Sequence, residues 1–144
     1  MRGGPSGGVL LDAGPIVAAL AADQALHEAC LEAMAGLDLT PFTCWPVIAE
    51  AAWLLRRNRK AHDGMLEWIE SGVIELMDLR SSDVRRVREI LREYESLNPQ
   101  FADACLVHLA EREDIDTIFT LDRRDFSVYR TKRGKAFRLL PEAS

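Results

Sequence analysis

Val9-Leu10-Leu11-Asp12-Ala13-Gly14-Pro15-Ile16-Val17-Ala18-Ala19-Leu20 is the stretch on which the reading of the fold turns. The run Val9 to Leu11 is apolar on both sides and ends in Asp12 and a Gly14-Pro15 break, which suits a short strand buried on both faces. Pro15 is placed for the first turn of a helix reaching about residue 22, because its fixed φ suits a helix start. A strand passing straight into a helix is the opening of a βα unit, and the pattern recurs outward along the chain. Further strands are expected over 39–43, 73–79 (a possible edge), 116–121 and 136–140. Helices are expected over 27–34, 46–57, 62–70 and 101–112, with Gly72 breaking the third of these. Ser81-Ser82-Asp83 reads as an N-cap before a stripe of Val84, Val87, Ile90, Leu91 and Tyr94. Strands alternating with helices imply a parallel sheet sandwiched between helices.

At 144 residues the chain fits one domain with an ordinary core, expected over 9–141 behind a glycine-rich lead-in at 1–8 that reads as disordered. Apolar content of 48% and charged content of 28% are those of a soluble globular protein. The apolar run from residue 9 is too short and too broken to span a bilayer, so no membrane association is expected. Cys30, Cys44 and Cys105 are odd in number and lack metal-binding spacing, which argues for buried thiols in a reducing cytoplasm. The net charge of −5 argues against binding nucleic acid through bulk positive charge. The charge is nevertheless uneven. Arg123, Arg124, Arg130, Lys132, Arg133, Lys135 and Arg138 stand against only Asp125 between 123 and 138, a basic edge expected beside the acidic site described next.

Four acids are set in apolar surroundings: Asp12 closes its strand, Glu50 lies among Val47, Ile48, Ala51 and Leu54, Asp103 opens Ala102 to Val107, and Asp122 follows 117–121. Carboxylates are almost never buried unless they are paired or hold a metal. In open α/β sheets, sites form outside the carboxyl ends of the strands, where Asp12 and Asp122 are expected. Asp103, in a first helical turn, and Glu50, one turn into its helix, fall on the same side. Each also has a purely structural reading. Asp103 could complement a helix dipole, and Asp12 and Asp122 could cap turns. Four such acids together would repel and raise one another's pKa values, a cost that a hard divalent cation such as Mg²⁺ or Mn²⁺ removes. Asp125 competes with Asp122 as the fourth acid, and Asp122 is preferred because it follows the strand directly. Thr120 is a candidate supporting hydroxyl. Arg56, Arg57, Arg59 and Lys60 join the basic edge as candidate phosphate contacts. His27, His62 and His108 lack metal spacing and read as structural or surface groups. Trp45, Trp53 and Trp68 read as core or interface side chains rather than base-stacking platforms.

These residues, in this order, resemble the PIN domain, a family of metal-dependent ribonucleases. Residues 10–20 look like its first acidic motif, 47–55 the second, 101–110 the third and 119–126 the last. The resemblance covers about 9–140 and is most like the VapC-type toxin of bacterial toxin–antitoxin pairs. It implies a three-layer α/β/α sandwich, Mg²⁺ or Mn²⁺ at Asp12, Glu50, Asp103 and Asp122, and hydrolysis of RNA. It further implies a homodimer restrained by a small antitoxin protein. Ala13 departs from the Thr or Ser that many such toxins carry after the first Asp. A catalytically silent module keeping the fold for RNA or protein contact is the main alternative. Phosphate-ester hydrolysis on DNA or a small molecule is a second.

Overall fold

A computed structural model describes residues 8–142, so the expected lead-in lies outside the described residues apart from Gly8. Five strands, β1 (Val9–Leu11), β2 (Phe42–Thr43), β3 (Glu75–Leu76), β4 (Thr117–Phe119) and β5 (Arg138–Leu140), form one sheet in the order β3-β2-β1-β4-β5. Every pairing is parallel: Leu10 stands opposite Phe42 on one side and Ile118 on the other, and Phe119 stands opposite Leu140. The strands are shorter than expected from sequence. Their outer flanks, such as Leu39 to Thr40 and Asp78 to Leu79, pass into loops instead of continuing the ladder. β3 is an edge strand, as its alternating sequence implied.

Among the described residues seven α-helices accompany the sheet: α1 (Ala13–Leu20), α2 (His27–Ala35), α3 (Trp45–Leu54), α4 (Arg59–Glu70), α5 (Val84–Glu93), α6 (Phe101–Glu113) and α7 (Arg123–Phe126). The chain crosses from β1 to β2 to β3 in one direction, then returns past β1 to β4 and β5. Right-handed crossovers consequently put α1–α4 on one face and α5 and α6 on the other, which gives three layers. α1 packs on α2, α3 and α4, and α5 packs on α6. The strand order reverses between β1 and β4, and their carboxyl ends open a crevice there.

α6 is the most deeply held helix. Every residue from Ala102 to Ala110 is buried, which explains its alanine-rich, weakly amphipathic sequence. α5 carries its apolar stripe on Val87 and Ile90, but Val84 is half-exposed. A 3₁₀ turn over Ser81–Asp83 precedes α5, and Asp83 does not cap it. Asp83 instead accepts from the Arg80 N–H and pairs with the buried His108 at 2.7 Å and with Arg112 at 3.3 Å, tying the start of α5 to α6. Arg86 adds a bidentate contact to Glu111 at 2.8–2.9 Å. Gly72 breaks the chain after α4 with φ +87°, where a side chain would be strained. No helix among the described residues is long and apolar enough to cross a membrane.

Leu10 is fully buried at the centre of the sheet, between two neighbouring strands. Truncation by Leu10→Ala is expected to cost about 2–5 kcal/mol in urea unfolding, because the parallel sheet cannot collapse around the cavity.

Candidate functional site

The reversal of strand order decides where the acids go. Asp12 follows β1 directly, and its N–H extends the ladder to the Phe119 carbonyl at 2.9 Å. Its side chain then caps α1 by accepting from the Ala13 N–H at 2.8 Å. Gly14 brings the start of α1 against Leu121, which a Cβ at Gly14 would meet at 3.4 Å. On the other side of the crevice, Thr120 and Asp122 follow β4, and Asp122 N-caps α7 through the Asp125 N–H at 3.2 Å. Asp103 lies in the first turn of α6, and Glu50 lies midway along α3. A single cleft is lined by Asp12, Glu50, Asp103, Asp122 and Asp125, with Asn98 and Gln100 on its rim. All four acids expected from sequence are there, and so is the competing Asp125.

The acids are held differently. Asp12 and Asp103 are 7% exposed, whereas Asp122 lies at the surface. The fully buried Thr120 hydroxyl donates to Asp12 Oδ2 at 2.7 Å, and the same oxygen accepts from the Asp122 N–H at 3.0 Å. Thr120 thereby fixes two acids at once, and supplies from β4 a hydroxyl contact that Ala13 cannot make. Tyr129, fully buried, donates from its hydroxyl to Asp103 Oδ2 at 3.1 Å. Its ring stands edge-on to Phe126 and Tyr94, each 5.0 Å away between centroids. Sequence reading missed Tyr129 because it sits inside the basic segment. The i, i+3 pairing of Phe126 with Tyr129 was the available sign that this segment turns inward.

Burial and mutual charge act together on the cleft. Desolvation raises the Asp12 pKa against the opposing hydrogen bonds from Thr120 and Ala13, and the charge on Asp122 raises it further. Glu50 is raised by desolvation and then by Asp12. Asp103 is pushed up to about 7, first by desolvation and next by the Asp12 charge; Tyr129 opposes the shift, and Asp122 and Glu50 add to it. Carboxylate oxygens of Asp103, Asp122 and Asp125 come within 4.8 Å of one another. An all-oxygen donor set at this spacing is one that a hard divalent cation would fit.

The basic segment is not the edge beside the cleft that its sequence suggested. Arg123 and Arg124 stand near the cleft on α7, but Lys135 pairs with Asp116 at 3.3 Å, and Arg138 lies opposite Thr117 at the amino ends of the strands. The segment doubles back between β4 and β5, so neighbours in sequence are split between the two ends of the sheet. Arg130 is used structurally, donating to the carbonyls of Ser127, Val128 and Tyr129 at 2.7–3.0 Å. Nearer the cleft is a hollow beside α3, lined by Arg57, Arg59 and Leu54, the last of which also lines the cleft. Trp45 and Trp53 are 60% and 64% exposed, so neither belongs to the core. All three cysteines are free and buried, as expected of apolar thiols.

A family model described as the PIN domain matches residues 9–132. The chain is 31% identical over 122 residues to the ribonuclease VapC26 of Mycobacterium tuberculosis, covering 83% of this chain and 87% of that protein. It is similar in fold to a crystal structure of M. tuberculosis VapC20, described as a sarcin–ricin loop cleaving toxin. The TM-score is 0.74 at 18% identity, over 81% of this chain and 91% of that one. It is also similar in fold to VapBC2 from Rickettsia felis bound to a DNA fragment from its promoter, with a TM-score of 0.62 at 19% identity, over 92% and 98%.

Because Asp103 binds its proton more tightly folded, near 7, than unfolded, near 3.8, the stability it contributes is complete below about pH 4 and is lost as pH rises through 7. In chelator-treated protein the melting midpoint is expected to fall by several degrees between about pH 5 and pH 8. Asp103→Asn should flatten that fall, as followed by circular dichroism.

Proposed function

Given that this chain belongs to the PIN domain family, we propose that it is an endoribonuclease that hydrolyses RNA phosphodiester bonds as the toxin of a toxin–antitoxin pair. Residues 9–141 act as one unit, which works as a homodimer and is restrained by a small antitoxin protein. The observation that carries the reading is the convergence of Asp12, Glu50, Asp103, Asp122 and Asp125 in one cleft at the reversal of strand order. VapC26, the relative at 31% identity, is named a ribonuclease, which supports the substrate class. A silent module would have no need to keep two of these acids buried at the cost of raised pKa values.

Mg²⁺ or Mn²⁺ is the cation that the oxygen donors suit, with Asp12, Glu50, Asp103 and Asp122 as ligands directly or through water. Asp125 is close enough to share in the site. When bound, the cation supplies positive charge at the phosphate and lowers the pKa of a water beside it. The chain's own residues set the geometry. Thr120 and the Ala13 N–H fix both oxygens of Asp12, and Tyr129 fixes one oxygen of Asp103. Glu50, on α3 and only partly buried, has the freedom to adjust to substrate. Burial and the neighbouring carboxylates push Asp103 up to about 7, and a cation held beside it would favour its ionised form.

Two expectations test this. Purified protein should cut single-stranded RNA with Mg²⁺ or Mn²⁺ and stop with EDTA, and folded Asp103→Asn should lose at least about 100-fold in rate. Metal-independent cleavage that survives in Asp103→Asn would sink the proposal. Tyr129→Phe removes a hydrogen bond that favours ionised Asp103, so its activity should rise at higher pH than in wild type, with a rate loss of roughly tenfold. An unshifted pH profile would show that Tyr129 only packs.

A further inference from the structure

Trp53 lies three residues from Glu50 and next to Leu54 on α3, and both of those residues line the acidic cleft. Residues three apart on a helix are surface neighbours, which sets the Trp53 position beside that of Glu50 on the surface of α3. It is 64% exposed, and one face is taken by Arg56, whose guanidinium carbon lies 3.8 Å from the ring centroid. Arg56 also donates to the Trp53 carbonyl at 2.8 Å, which holds the guanidinium in its stacked position. The result is a flat two-layer stack of indole and guanidinium, open to solvent, beside the candidate hydrolytic site.

Four of the five residues from 56 to 60, beside this stack, are cations. Arg56, Arg57, Arg59 and Lys60 are all exposed, and none forms an ion pair with any described residue. Arg57 and Arg59 line the hollow that meets the cleft at Leu54, where Asp23 is the acid present. Unpaired cations interleaved with an exposed aromatic match the chemistry of a polyanion whose bases are free to stack. A base paired in a duplex cannot reach such a platform, whereas one in a loop or single strand can.

We propose that Trp53 and Arg56 form a stacking platform for an unpaired base flanking the scissile phosphate, with Arg57 and Arg59 guiding the adjoining backbone. This rests on the RNA-hydrolysing reading and extends it by one assignment: Trp53 is a positioning residue for the base beside the cut. Base stacking acts on binding and placement, so Trp53→Ala should raise KM and lower kcat/KM while leaving the cation requirement intact.

The test measures binding of a labelled RNA hairpin, and of the same sequence as a full duplex, to the full-length Asp103→Asn protein, which leaves the RNA uncut. Removing Trp53 (Trp53→Ala) should weaken hairpin binding roughly tenfold or more, Trp53→Phe should restore most of it, and duplex binding should barely change. Arg57→Ala and Arg59→Ala should each lower the salt dependence by about 0.7, a change that Trp53→Ala should not produce. Trp53 is exposed, so loss of folding is not expected, and circular dichroism checks it. Equal hairpin affinity with and without Trp53, while wild-type protein still cuts RNA, overturns the platform and leaves the nuclease reading standing. The same affinity accompanied by loss of the dimer or of antitoxin binding overturns it in favour of a protein interface. If wild-type protein neither binds nor cuts RNA, both readings fall together.

Discussion

Holding carboxylates close together away from water is the constraint on which the rest of this structure depends. Asp12 and Asp103 are almost wholly buried, each lies in the field of the other, and neither has a cationic partner among the described residues. An isolated buried charge is costly enough that proteins usually neutralise it or omit it. Here the cost is offset by position. The acids stand where β1 and β4 part, and their hydrogen bonds come from across that gap, Thr120 to Asp12 and Tyr129 to Asp103. The buried strands β1 and β4 and the buried face of α6 give these contacts a rigid frame.

The frame was legible in the sequence because it is written in long apolar runs. Residues 9–12 and 116–121 read as strands and residues 101–112 as a helix, and each of these elements is present. The acids were legible for the same reason, since a charge inside such a run is conspicuous. Less legible was what depends on contacts between distant segments. The four residues of α7 are too few to show a helical period, and the role of Tyr129 exists only because α7 turns it back under α6. The basic segment misled because adjacency in sequence does not say at which end of a sheet a residue will lie. Val84 and Trp53 misled in the other direction. Apolar character on a helix predicts burial in the core only when a neighbour covers that face, and at these positions no described residue of this chain does.

Charge is distributed with some economy between structure and surface. The α5–α6 face uses Asp83, His108, Arg112, Arg86 and Glu111 to tie two helices together, and the end of α7 uses Arg130 to satisfy carbonyls. Exposed pairs of this kind contribute little each, but partly buried bidentate ones fix orientation. The cations between α3 and the first turn of α4, Arg56, Arg57, Arg59 and Lys60, are exposed and tie no elements together through ion pairs among the described residues.

The contact between Tyr129 and Asp103 also sets an order of events during synthesis. Asp12 and Glu50 leave the ribosome early, but the third acid is not anchored until a tyrosine 26 positions later has been made and folded beneath it. β5 follows later still and completes the sheet next to β4. A partly made chain therefore carries the acids without the geometry that aligns them. The site that cuts RNA is, by this arrangement, assembled only after the segment carrying Tyr129 has emerged and folded.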